Sequence, residues 1–311
     1  MRRTDIKLKK WDIKQEIKWF LFMLPIMLTM AVFIYYPFLQ DVFKSFFYIP
    51  EVNELHMSNF VGLNNYVQVF KDPRFLHALY ITFILMLMSL VFIPIGFIIA
   101  FMINNVSNKK LQAVFRISFF FPYVIPYVAI ILIFQVFLQQ SGGVLNAWLS
   151  VISGHDVAIG WLGDPRFARI GVSIILNYSK LPYGIIICLA GLQAIPNEIY
   201  ESADIDGANV FQKLLRITVP NMRGIFTFLF ISQVIFGFQR ITDLIINGLG
   251  HPTGAPAGSL QSIMMLIFEL SFFRTVSVAP NYGYVYAMNI VLAGIILLVT
   301  ICNIKATKVT K

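Results

Sequence analysis

Charge is scarce in this sequence. Only 13% of its 311 residues are Asp, Glu, Lys or Arg, about half the share of a soluble domain, which excludes a globule with a fully solvated surface. Cysteine is nearly absent. Cys188 and Cys302 both lie in apolar stretches, give no disulfide framework and no thiolate metal spacing, and read as small buried apolar side chains. The four histidines, His56, His77, His155 and His251, are far apart, so no metal or catalytic spacing exists and a surface role fits them better. No GxxxxGK[ST] phosphate loop occurs, so no nucleotide site of that kind is on this chain. Internal repeats and low-complexity tracts are also missing.

What is present is hydrophobic: 58% of residues, including 30 Phe. The apolar residues gather in blocks of the length that crosses a bilayer, about 20 residues at 1.5 Å each. Six spans are predicted, at about Trp19–Phe38, Leu79–Ile103, Ile117–Phe137, Gly171–Gln193, Ile225–Leu244 and Tyr284–Ile304. The first is too long for a signal-peptide core and no small-x-small cleavage site follows, so it reads as a retained helix. Pro25, Pro94, Pro122, Pro126 and Pro182 fall inside the blocks. Proline is tolerated in membrane helices when neighbours satisfy the freed carbonyl, and kinks are expected in the third and fourth spans.

The formal net charge of +9 would point to nucleic acid on a soluble chain. Here the cations cluster between hydrophobic blocks, and no nucleic-acid partner is implied. Counted over alternate segments, Lys and Arg sum to 16 against 6, a bias that puts both termini in the cytoplasm. The fold class predicted is an all-α integral membrane protein of about six transmembrane helices, N-in/C-in. Residues 1–18 form a cytoplasmic tail, 19–304 the membrane domain and 305–311 a second cytoplasmic tail. Two external loops stand out: 39–78 is long and aromatic, and 249–281 opens on Gly250, Pro252, Gly254, Pro256 and Gly258, a turn-rich stretch. Leu260–Phe273 follows, too short to span, and reads as a re-entrant or interfacial helix.

The informative segment is Ile195–Pro220, IPNEIYESADIDGANVFQKLLRITVP. Pro196 suits a first helical turn, and Glu198 and Glu201 suit its positive end. Gly207 breaks the helix without steric cost. A second, amphipathic helix follows, with Val210, Phe211, Leu214, Leu215 and Thr218 on one stripe and Asn209, Gln212, Lys213 and Arg216 opposite, closed by Pro220. This helix-turn-helix resembles the EAA loop of ABC importer permeases: Glu201, Ala203, Gly207, Ile217 and Pro220 match at the family spacing, while Ser202 stands for the first Ala and Val219 for Leu. The competing reading is an amphipathic hairpin lying on the membrane surface. PNEIYESADIDGA, FVGLNNYVQVFKDPRFLHALYIT (Phe60–Thr82) and FLFMLPIMLTMAVFIYYPFLQDVFKSFF are similar to the carbohydrate, maltose-type and binding-protein-dependent branch, so the resemblance covers most of the chain.

The resemblance implies a non-catalytic permease subunit in the cytoplasmic (inner) membrane that imports a sugar or oligosaccharide. It implies a second related permease, two ATP-binding subunits and an external solute-binding protein, with membrane lipid around the spans. Cofactors are expected to be none on this chain, ATP and Mg belonging to the ATPase subunit that grips 195–220. It also implies sugar-lining positions on the fourth and fifth spans, at Leu176, Ser179, Lys180 and Tyr183, and at Gln233, Gly237 and Arg240. Each set keeps one helix face. Lys180 and Arg240 place two cations where a neutral sugar would call for amides or small groups. One expectation is an acidic, uronate-type saccharide, since guanidinium forks match carboxylates. The other is structural: Asp243 neutralises Arg240 and Lys180 fixes helix packing. An ion-coupled secondary transporter or channel is the alternative function, but only Asp243 offers a midplane carboxylate. A membrane enzyme lacks the facing His, Asp, Glu or Ser cluster it would need.

Overall fold

The computed structural model describes residues 13–50, 59–239, 256–272 and 281–309, with side chains from 17 to 305 among them. Among the described residues the regular secondary structure is helical, apart from one isolated antiparallel bridge between Phe47 and Phe60. Four helices are long and apolar enough to cross a membrane, and up to six spans result when each of two bent pairs counts as one; the second pair, Val210–Asn221 with Arg223–Phe238, takes in the second rod of the predicted hairpin. Each of the six apolar blocks overlaps one of these helices or bent pairs, the described part of the fifth block falling on Arg223–Phe238.

The first span comprises α1 (Ile13–Met30), a π turn at Ala31–Tyr35 and α2 (Tyr36–Lys44). None of its apolar window is buried within the chain, so lipid or protein outside this chain must cover it. The short α3 (Asn64–Lys71) leads to α4 (Pro73–Met88), which starts with Pro73 in the first turn and Asp72 accepting from the Arg74 amide at 2.8 Å, an N-cap. A 3-10 turn at Ser89–Val91 joins α4 to α5 (Phe92–Asn104). Pro94, which cannot donate, lies just beyond it. Asn177 repairs this break from another helix, accepting from Phe92 N at 2.7 Å and donating to Met88 O at 3.0 Å.

The third span is broken rather than kinked. α6 (Lys109–Val124) and α7 (Tyr127–Phe137) meet at 94°. The cause is local: Pro126 drives the residue before it out of the helical region, and Ile125 sits at φ −70°, ψ 129°. The short α8 (Val144–Ser153) follows. By contrast α9 (Ala168–Gln193) runs as one helix of 26 residues through Pro182, packed against α5, α6 and α7.

After α9 come α10 (Asn197–Ile205), α11 (Val210–Lys213), a π turn at Leu214–Thr218 and α12 (Val219–Asn221). Helix α13 (Arg223–Phe238) leaves at a 60° bend. Pro220 therefore does not close the second rod, which continues to Asn221. The wider π turn leaves a carbonyl without its usual donor, the place where a proline does least harm; Pro37 follows the π turn at Ala31–Tyr35 by the same two residues. Helix α14 (Ile263–Phe272) occupies the predicted short apolar stretch, and α15 (Tyr282–Val309) ends the chain's described part. The buried core lies between α4, α13, α14 and α15 on one side, and along α9 on the other, where it meets α7 at one end and α5 and α13 at the other.

Candidate functional site

Two places hold the residues singled out in the sequence, and α9 and α13 connect them. The first is the hairpin. α10 ends as a glycine-stopped helix: Gly207 adopts φ +75°, its amide donates to Asp204 O at 3.1 Å, and Ala208 N donates to Ala203 O at 2.9 Å. That bond pair satisfies the last carbonyls of the helix and places the left-handed residue at the turn. α11 then begins with a reciprocal cap: the Gln212 amide donates to the Asn209 side chain at 2.9 Å, and Asn209 N donates to Gln212 Oε1 at 2.8 Å, both orphan donors being met. Tyr200 and Thr218 share a hydroxyl hydrogen bond of 3.0 Å, and Lys213 reaches Asp204 at 2.5 Å, so the two rods are tied together.

The apolar residues of this hairpin divide. Ala203 and Thr218 are buried and Leu214 is half-buried, but Ile205, Val210, Phe211 and Leu215 are 89%, 64%, 71% and 58% exposed. Only part of the predicted stripe faces the chain's own body. Glu201 and Ser202 are exposed and Ile217 and Pro220 half-buried.

The second place is a cavity of about 440 Å³ where the broken third span, α9 and the end of α13 converge, lined by Tyr123, Leu176, Ser179, Lys180, Phe236 and Gln239 among others. Lys180 Nζ lies 4.5 Å from the centroid of the Phe236 ring, a cation–π geometry. Ser179 Oγ donates to Leu176 O at 2.9 Å.

The family described as "Binding-protein-dependent transport system inner membrane component" matches residues 92–304, more than half of the chain. The chain belongs to this family. This inner membrane component is 28% identical over 298 residues to the lactose transport system permease protein LacF of Rhizobium radiobacter, covering 95% of this chain and 96% of LacF. It is 29% identical over 259 residues to the maltose/maltodextrin transport system permease protein MalF of Klebsiella aerogenes, covering 80% of this chain but 49% of MalF. Its fold is that of a chain in the crystal structure of a bacterial alginate ABC transporter in complex with alginate pentasaccharide-bound periplasmic protein, with TM-score 0.76, 24% identity and 94% of both chains covered.

Within this inner membrane component, the sugar-lining set implied by resemblance is only partly brought together. Leu176, Ser179 and Lys180 line one cavity. Tyr183 does not; it packs with the cluster around Phe92 and Ile185. Gln233 and Gly237 face the chain's own core. Gln233 is 2% exposed and donates to Ser89 Oγ at 2.5 Å, and a side-chain carbon at Gly237 would come within 2.7 Å of Met86. A lone amide among apolar helices needs a partner, and the 3-10 turn before α5 supplies it. Arg240, like Asp243, lies outside the described residues. The α13 face that reaches the cavity is instead Phe236 and Gln239, one register step away, and Tyr123 joins from the break. The paired prolines were the sequence signal for Tyr123, since a broken helix turns side chains into the space it opens. No signal separated the two faces of α13, because both are mostly apolar.

Proposed function

We propose that this chain is the permease subunit of an ABC importer that carries a sugar or oligosaccharide of acidic, uronate type across the cytoplasmic membrane. The chain works with a second related permease, two ATP-binding subunits that hold ATP and Mg, and an external solute-binding protein. Both termini and residues 195–220 face the cytoplasm. The observation that carries the reading is that α9 and α13, which flank the hairpin, are the helices that meet at the Lys180 cavity. A nucleotide-driven subunit that grips the exposed Ile205, Val210, Phe211 and Leu215 pulls on a hairpin whose two ends continue into those helices. Glu201, Ser202, Ala203, Gly207, Ile217 and Pro220 form that coupling element: Gly207 sets the turn, and Ala203 allows the first rod to lie close. Apolar side chains exposed at the tip support a protein partner.

Lys180 supports the acidic substrate. A sugar carboxylate that reaches its ammonium, which lies over Phe236, forms a pair with no net charge. Ser179 and Gln239 serve sugar hydroxyls, Tyr123 offers a ring face, and Arg240 supplies a second cation. The sugar transport of LacF and MalF supports the substrate class. An importer of the acidic polysaccharide alginate has the same fold. Uptake of labelled uronate oligosaccharide and of its neutral counterpart into proteoliposomes holding the whole complex tests the reading. ATP-dependent uptake that prefers the acidic sugar, and loses that preference in Lys180→Ala and Arg240→Ala, is expected. Uptake without ATP would restore the ion-coupled alternative, and unchanged acidic uptake in both variants removes the acidic substrate.

A further inference from the structure

A second polar cavity, about 530 Å³, lies between the start of α6, the end of α9 and the two rods of the hairpin. Its lining carries Lys109, Arg116 and Lys213 against one carboxylate, Asp204. Asp204 is already engaged by Lys213 at 2.5 Å. Lys109, Gln112 and Arg116 follow i, i+3, i+7 spacing and share one face of α6. That face is fixed, because Gln112 is buried and donates to Ile103 O at 3.1 Å and Asn104 O at 3.3 Å, pinning α6 against the end of α5. Arg116 Nε is buried and has no hydrogen-bond partner. A buried guanidinium N–H without an acceptor is costly, and a guanidinium is built to meet an oxyanion with two parallel bonds.

We propose that this cavity binds a phosphate-bearing anion, held by Arg116 and Lys109, with Lys213 and the Tyr200 hydroxyl at its far wall. The volume is far larger than a single side chain would fill and falls in the range of small-ligand sites. The shared chemistry is a phosphate monoanion or diester, whose source is either a free phosphate compound or the headgroup of an anionic lipid. On the orientation proposed above, α6 begins at the cytoplasmic headgroup level, where anionic lipid concentrates, but the binding itself stands on the cavity alone. Because the anion would touch both α6 and the hairpin, it would brace the coupling element against the spans.

The test uses the purified full-length chain in two arms at constant ionic strength. In neutral detergent, binding of radiolabelled inorganic phosphate is measured. In nanodiscs of phosphatidylcholine with or without phosphatidylglycerol, retained lipid is read by native mass spectrometry. Wild-type protein is expected to bind in at least one arm, at least tenfold more tightly than Arg116→Gln and Lys109→Gln, while Lys71→Gln, an exposed lysine on α3, binds as wild type does. Lys109 is exposed, so its variant reports on binding even if Arg116→Gln impairs folding. A signal in the phosphate arm alone assigns a free phosphate ligand, and one in the phosphatidylglycerol arm alone assigns a lipid. Absence of binding in both arms, or equal loss in Lys71→Gln, overturns the proposal. Failed transport with intact anion binding would count against the permease reading and leave this one standing.

Discussion

Replacing Gly207 isolates the hairpin from everything else in the fold. Its φ of +75° lies in the left-handed region, and a side-chain carbon built there meets nothing within 4 Å. The penalty for another residue is therefore conformational, about 1–2 kcal/mol for an ordinary L-residue. It is least for Asn, whose side chain can hydrogen-bond locally, and greatest for a β-branched residue. That energy acts on a small unit held by the Asp204–Lys213 pair, the Tyr200–Thr218 bond and the Asn209–Gln212 cap. A shift of 1–2 kcal/mol raises the opened fraction of such a unit about 5- to 30-fold. Sugar-stimulated ATP hydrolysis and uptake by the reconstituted complex should fall in the order Gly207→Asn, Gly207→Ala, Gly207→Val. The global unfolding midpoint should stay near the wild-type value, since an exposed tip opens locally. Wild-type uptake by Gly207→Val, or an order unrelated to left-handed tolerance, would refute the reasoning.

Three further outcomes follow from particular contacts. Gln233→Leu should leave the KM for sugar unchanged and lower thermal stability by about 1 kcal/mol, since Ser89 Oγ loses the donor it accepts from and keeps only its bond to Met86 O, whereas Phe236→Ala and Gln239→Ala should raise KM; transport titrations beside thermal melts separate the two. Gly283→Ala places a methyl group onto the Phe47 carbonyl oxygen, backbone that cannot swing aside, and should cost about 3 kcal/mol or more by melting midpoint. Asp72 is partly buried, which would raise its pKa, but hydrogen bonds from the Arg74 side chain, Tyr284 and the Arg74 amide outweigh burial and hold the carboxyl below its ordinary value. Its stabilisation is therefore present above about pH 4 and lost as pH falls through the lowered pKa; melts from pH 7 to pH 3 should show that loss, and Asp72→Asn should reduce it.

The apolar blocks, the glycine turn at 207 and the two-rod form of the hairpin were legible in the sequence, whereas the end of the second rod, placed at Pro220, lies at Asn221. They depend on local matters: apolar length against bilayer thickness, proline's missing donor, and glycine's freedom at positive φ. Even the break at Ile125 follows from Pro126 alone, although its 94° depth does not. Which face of α13 meets the cavity was not legible. Gln233 carries a polar group at the right height for a substrate, yet the 3-10 turn at Ser89–Val91, produced far away in the chain, claims it. Asn177 went unnoticed for the same reason, since its work is to satisfy Phe92 N and Met88 O across a helix boundary. A buried amide has one nearest partner, and only the packing of α4, α5, α9 and α13 decides which it is.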